Sequence, residues 1–329
     1  MKKYIFTLIM AFVCWNTKAQ QLSSWSSYYE SGFVWNPALT AKWNSNEISV
    51  THRQDWIGFE GAPQYTNISF QHPFVSGYHT KSALGVFMER DKVGPQEKIG
   101  SAITYNYRFR PQLFGKRDDV LGIGLMANVS RYQFNLQNET AFDKDQLTID
   151  LSEVSTVFSP NVSMGAFYIS VSDFYAYQKS HYYVGLSVNQ LIPSKIAVFQ
   201  GRTDNVSLSS IQAAMHATMH IGYRLIPFRK KYFYEPNLMV IYGVSKNVQA
   251  MAHVRYEMMH AFWLAGGLCT TGESFAQAGV ILDKWSFAKK LVKDGSLRLG
   301  LKASWNVGSV RRIAGAGLEF YGAYIFALE

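Results

Sequence analysis

Charge is scarce in this chain and cysteine nearly missing. Lys, Arg, Asp and Glu make up 17% of the 329 residues, against roughly 25% in a typical soluble domain. Long apolar runs are missing as well. Mean hydropathy is −0.08, whereas a polytopic helical membrane protein needs several apolar runs of about 20 residues. No heptad and no Gly-x-y period is present, which excludes coiled coil and collagen, and the aromatic content excludes disorder. Two cysteines cannot supply the disulfide framework of a small secreted module.

What the chain has is aromatic weight, with 20 Tyr, 22 Phe, 8 Trp and 25 Gly. Its apolar residues come in alternation instead of in runs. That profile suits a transmembrane antiparallel β-barrel of the outer membrane, an all-β fold.

The N-terminus reads as an export signal. Lys2 and Lys3 form a positive start, Tyr4 to Trp15 an apolar stretch of about a dozen residues, and Thr17-Lys18-Ala19 a small-x-small cleavage site. Residues 1–19 are thus expected to be removed near Ala19 and net charge to fall from +9 to about +6, because Lys2, Lys3 and Lys18 leave with them. Cys269 would then be the one cysteine left. Residues 20–45 form an aromatic, Ser-rich segment carrying Trp25, Tyr28, Tyr29, Phe33, Trp35 and Trp43. So many aromatics do not suit a free tail, and the expected place for the segment is the lumen or periplasmic mouth of the barrel.

From residue 46 to 329 the period is two. Ile99, Ile103, Tyr105, Tyr107 and Phe109 share one face; Gly100, Ala102, Thr104, Asn106 and Arg108 share the other. Leu297, Leu299, Leu301, Ala303 and Trp305 likewise oppose Arg298, Gly300, Lys302 and Ser304. The first of these runs to about twelve residues, enough for a tilted membrane crossing. About fourteen such strands can be placed, the first near 46–53 and the last near 315–328. With a periplasmic N-terminus, two of the longest gaps, 135–160 and 192–214, fall on the outer side. Most basic clusters, including Arg229-Lys230-Lys231 and Lys289-Lys290, fall on the periplasmic side.

Chemistry-bearing constellations are few. His216 and His220 share a strand face, but at roughly 13 Å apart they cannot share a metal, so they read as lumen residues. No Ser, His and acid converge in any segment that can be placed, so neither catalysis nor a cofactor is expected. The dense motif is Asp55-Trp56-Ile57-Gly58-Phe59-Glu60-Gly61-Ala62-Pro63. Its glycines and proline demand a turn, and its aromatics and acids a folded one. It reads either as a loop folded over the barrel mouth or as a docking surface. Nothing points to nucleic acid.

Several of these elements together resemble the PorP/SprF family of Bacteroidota outer-membrane proteins. The resemblance rests on Trp35-Asn36-Pro37-Ala38-Leu39, on Trp56 to Pro63 and on the Asp91 to Gly94 turn. Tyr105-Asn106-Tyr107-Arg108, Gly185-Leu186-Ser187 and Phe262 to Gly266 add to it. Leu318-Glu319 stands where the family usually has His-Glu. The resemblance implies a non-enzymatic accessory of type IX secretion, needed to export or display a large surface adhesin, with a link to gliding. Its implied partners are the periplasmic ring or its linker protein, the adhesin, and lipopolysaccharide and outer-membrane lipid. It makes Asn36 and Pro37 a structural motif. Asp55, Trp56, Gly58, Phe59, Glu60, Gly61 and Pro63 are candidate partner contacts, as are Arg229, Lys230, Lys231, Lys289 and Lys290; the basic groups also read as ordinary solvated turns. The other function class open to such a barrel is a diffusion channel or hydrophobic-solute transporter. If residues 20–43 plug the lumen, their deletion raises single-channel conductance in planar bilayers; unchanged conductance removes that reading.

Overall fold

The computed structural model describes residues 28–42, 45–76, 79–113, 118–134, 155–171, 178–192, 194–197, 210–213, 215–243, 248–283, 295–307 and 315–326. The strands are β1 (Asn46–Gln54), β2 (Gln64–Ser76), β3 (His79–Val93), β4 (Gln96–Phe109), β5 (Val120–Phe134), β6 (Ser155–Ile169), β7 (His181–Asn189), β8 (Ser194–Ala197) and β9 (Ser210–Ala213). They continue with β10 (His216–Arg224), β11 (Tyr232–Gly243), β12 (Val248–Met258), β13 (Phe262–Cys269), β14 (Glu273–Leu282), β15 (Gly295–Asn306) and β16 (Gly317–Phe326). Fourteen of them close an antiparallel barrel, while β8 and β9 form a separate two-stranded sheet in the connection from β7 to β10. Alternation carried too little signal to reveal those two short strands within the 192–214 gap.

Closure is made by β1 on β16, from Asn46 opposite Phe326 to Gln54 opposite Leu318. Every barrel strand therefore has a neighbour on both sides, as a membrane requires of backbone N–H and C=O groups. The wall is inverted relative to a soluble protein. On β4 the buried positions are Ala102, Thr104, Asn106 and Arg108, whereas Ile103, Tyr105, Tyr107 and Phe109 are exposed. Apolar side chains face lipid and polar ones face the bore.

The bore is packed. Trp263 is fully buried, and its ring lies where side chains at Gly279 and Gly300 would otherwise stand. The Arg255 guanidinium sits 4.8 Å over that ring. Nearer the opposite end, Arg53 lies between Asp55 at 2.8 Å and Glu273 at 2.9 Å, and Lys302 pairs with Glu319.

An antiparallel wall gives the barrel two chemically separate ends. At the proximal end β1 begins and β16 finishes, and the described residues 110–113, 118–119, 170–171, 178–180, 225–231, 259–261 and 283 lie there. These described residues include five Lys and Arg against three Asp and Glu. At the distal end the described residues outside the strands include Asp55 and Glu60 and no Lys or Arg.

Candidate functional site

Residues 28–42 lie inside the bore, immediately before β1. The chain turns there through two 3-10 helices, Gly32–Val34 and Pro37–Leu39. Asn36 makes the second one possible: its Oδ1 accepts from the Ala38 N–H at 3.0 Å, while Pro37 supplies a preset φ at the first helical position. The other half of the Asn36 amide faces the wall. Its Nδ2 donates to the carbonyls of Ala166 at 3.1 Å and Leu186 at 3.3 Å. One side chain thus caps the turn and ties it to β6 and β7.

The wall answers with groups placed for this segment. Ser187 Oγ and Asn189 Nδ2 donate to the Trp35 carbonyl at 2.8 and 3.0 Å. Asn106 Nδ2 donates to the Ala38 carbonyl at 2.7 Å, and Arg108 Nη2 to the Thr40 carbonyl at 2.7 Å. Two positions must be glycine for the fit. A Cβ on Gly124 would lie 2.2 Å from the Ala38 nitrogen, and one on Gly165 only 2.0 Å from Asn36 Oδ1.

Aromatic and ionic contacts hold the first half of the segment. Tyr28, Trp35, Tyr65, Met239, Met251 and Phe275 form an apolar cluster across the bore. Tyr29 donates to Glu235 at 2.9 Å and accepts from Arg224 Nη2 at 2.9 Å, and Arg224 Nε holds Glu235 at 2.5 Å. Arg255 reaches Glu30 at 2.9 Å and Glu257 at 2.7 Å. Buried charges at this density persist only when paired and hydrogen-bonded. Lys42 places its ammonium 4.2 Å over the Tyr183 ring and 5.6 Å over Tyr29. Burial pulls its pKa down to about 8, helped by Arg224, Arg255 and Arg108 and opposed by Glu235.

The residues singled out in the sequence separate into three places. Asn36 and Pro37 lie in the bore. Asp55 to Pro63 is the β1–β2 loop at the distal end. It is folded back on itself by Asp55 N–H to the Pro63 carbonyl at 2.9 Å, and onto its neighbours by Ile57 N–H to Ala316 at 3.0 Å and Gly94 N–H to Gly61 at 2.9 Å. Trp56, Gly58 and Gly61 all take positive φ, so the loop is a shaped knob with Trp56, Ile57 and Phe59 exposed. Burial raises the Asp55 carboxyl pKa, with the Arg53 guanidinium opposing. Arg229, Lys230 and Lys231 are exposed on the β10–β11 turn at the proximal end. No single surface can therefore join the knob to the basic turn. Lys289 and Lys290, and the cleavage site near Ala19, lie outside the described residues.

His216 and His220 face the bore, beside the Trp35 and Tyr28 rings at centroid distances of 6.2 and 5.7 Å. Among the described residues, no three His, Cys, Asp or Glu side chains are placed to hold a metal. The sequence reading missed Gly124, Gly165 and Arg108 as members of the seat, because the pairing across the bore that assigns them is not local. It also missed Phe228, whose only mark in the sequence is its place among basic residues.

An apolar exterior, a closed strand wall and a bore crossed by its own N-terminal segment define an internally plugged outer-membrane β-barrel. The solved structures it is similar to share that wall. They include the CymD monoaromatic hydrocarbon channel (TM-score 0.52, 10% identity, covering 91% of this chain and 93% of that one). The Ralstonia pickettii toluene transporter TbuX is another (TM-score 0.51, 7% identity, 91% and 94%). At such identities the likeness is one of fold. Residues 17–307 match the family described as type IX secretion system membrane protein PorP/SprF, and the chain belongs to that family. No curated protein matches it.

Two predictions follow from the seat. Gly124→Ala drives a methyl group into the Ala38 backbone, an overpacking cost of about 1–3 kcal/mol. Channel-opening events in planar bilayers should rise roughly ten- to a hundredfold, with the barrel still heat-modifiable on gels. The second concerns pH. Out of the bore Lys42 titrates near its ordinary 10.5, so between about pH 8 and 10.5 the seated plug binds fewer protons than the released one. Seating therefore strengthens as pH rises through that window and is weakest below pH 8. Above pH 10 Tyr28 and Tyr29, whose phenol pKa values burial raises, reverse the trend. Protease cleavage within residues 28–42 should be slower at pH 9.5 than at pH 7.5.

Proposed function

We propose that this barrel is a non-catalytic scaffold of type IX secretion that holds a large surface adhesin during its export or display, in support of gliding. The observation that carries the reading is the N-terminal segment seated across the bore. A conduit needs a path, and here the path is taken by residues 28–42 and by buried ion pairs on either side of them. A plugged barrel still has two faces to offer. The distal knob presents Trp56, Ile57 and Phe59 on a pre-shaped backbone. Such fixed aromatic anchors cost little ordering on binding, which suits the adhesin. The proximal rim, where Arg229, Lys230 and Lys231 are exposed, suits a periplasmic ring component or its linker protein, with the export signal cleaved near Ala19.

The channels that share the wall move apolar solutes by their printed names. For this chain an apolar solute would have to pass Arg224–Glu235 and Arg255–Glu257, whose charges must stay paired. That favours the scaffold over a hydrophobic-solute channel.

Detergent pull-down with mass spectrometry tests the reading. Intact protein should recover an adhesin and a type IX component, and Trp56→Ala/Phe59→Ala should reduce adhesin recovery at least tenfold while leaving the proximal partner bound. Recovery of nothing beyond lipopolysaccharide and assembly factors from the intact protein would refute it.

A further inference from the structure

Phe228 is the most solvent-exposed of the large apolar side chains described, at 84%. Other strongly exposed ones, such as Met88, Phe158 and Leu301, lie on strands of the lipid-facing wall. Phe228 lies on the β10–β11 turn, four residues past the end of β10. The last pairing of the two flanking strands is the bridge between Leu225 and Tyr234, and Phe228 lies beyond it. The ring therefore stands beyond the paired wall, exposed and without a packing role inside the barrel.

The turn that carries it is held rigidly. Lys230 N–H donates to the Pro227 carbonyl at 3.1 Å, and Arg229 takes a left-handed φ of 60°. Ser180 Oγ accepts from Ile226 N–H at 2.8 Å and donates to the Ile226 carbonyl at 3.2 Å, tying the turn to the preceding connection. On the other side, Met259 N–H donates to the Lys231 carbonyl at 2.9 Å. The Arg229 guanidinium stacks 5.0 Å over the phenyl ring. A phenyl group is thus held among Arg229, Lys230 and Lys231, at the end of the barrel where the described connections carry five basic residues against three acidic ones.

We infer that this turn is the barrel's proximal docking point, and that its occupant is a protein with an apolar recess rimmed by carboxylates, Phe228 filling the recess and the three basic residues meeting the rim. The inference rests on the scaffold reading and adds the chemistry of its second partner. A layer of anionic headgroups would need only the charges; a ring held on a hydrogen-bonded turn among three basic residues fits a pocket with an acidic rim.

Photocrosslinking in intact cells tests this. Benzoylphenylalanine replaces Phe228 in the full chain, with and without Arg229→Glu/Lys230→Glu/Lys231→Glu, and heat-modifiability on gels verifies a folded barrel. The expected result is one protein adduct of defined mass, identified as a type IX component and reduced at least tenfold by charge reversal. Adducts confined to phospholipid overturn the inference, as does a protein adduct indifferent to charge reversal. Surface display of type IX cargo separates the two readings. Display lost on deletion of the barrel but intact in Phe228→Ala/Arg229→Glu/Lys230→Glu/Lys231→Glu sinks the docking point alone. Display unaffected by the deletion sinks the scaffold reading.

Discussion

A strand crossing hydrocarbon must pass every backbone hydrogen bond to a neighbour, and here the pairing of β1 with β16 meets that demand. Once the ring is closed, the side chains of each strand have two destinations. Those facing lipid must be apolar. Those facing the bore are enclosed without being in an oily core, so they can be polar only if they find one another. Arg224 with Glu235, Arg53 with Glu273 and Lys302 with Glu319 are that requirement satisfied across strands.

The ring also explains the N-terminal segment. A fourteen-stranded wall encloses more space than its own side chains fill, and residues 28–42 occupy part of it. They do so as an irregular chain with many backbone groups to satisfy, so the wall must offer donors as well as space. Asn106, Arg108, Ser187 and Asn189 supply donors, and Gly124 and Gly165 supply room. Asn36 is the hinge of the arrangement, because its one amide closes the turn and reaches two wall carbonyls.

The plug has a consequence for function. Because residues 28–42 are seated across the bore, the ends of this barrel gain in importance, and the antiparallel wall keeps those ends apart. The aromatic knob at 55–63 and the basic turn at 225–231 share no surface, so any partners they bind can be held at the same time. A scaffold joining something outside to something inside needs that independence.

Much of this was readable in order along the chain. Alternation alone places the fourteen wall strands and assigns their faces, because a strand's period of two is local and the lipid selects it directly. The turn chemistry of Asp55 to Pro63, and the sign of the charge in each connection, are also local properties. The membership of the seat is not: Gly124 and Gly165 look like any strand glycines until Asn36 and Ala38 are brought against them. Nor could the chain show that Phe228 stands free and fixed, since the hydrogen bonds that hold its turn come from Ser180 and Met259 on neighbouring connections. The sequence by itself determined which side of the wall each residue faces; only closure of the ring decided which residues meet the plug across the bore, because contacts such as Ala38 with Asn106 and Glu30 with Arg255 join positions 68 and more than 200 residues apart.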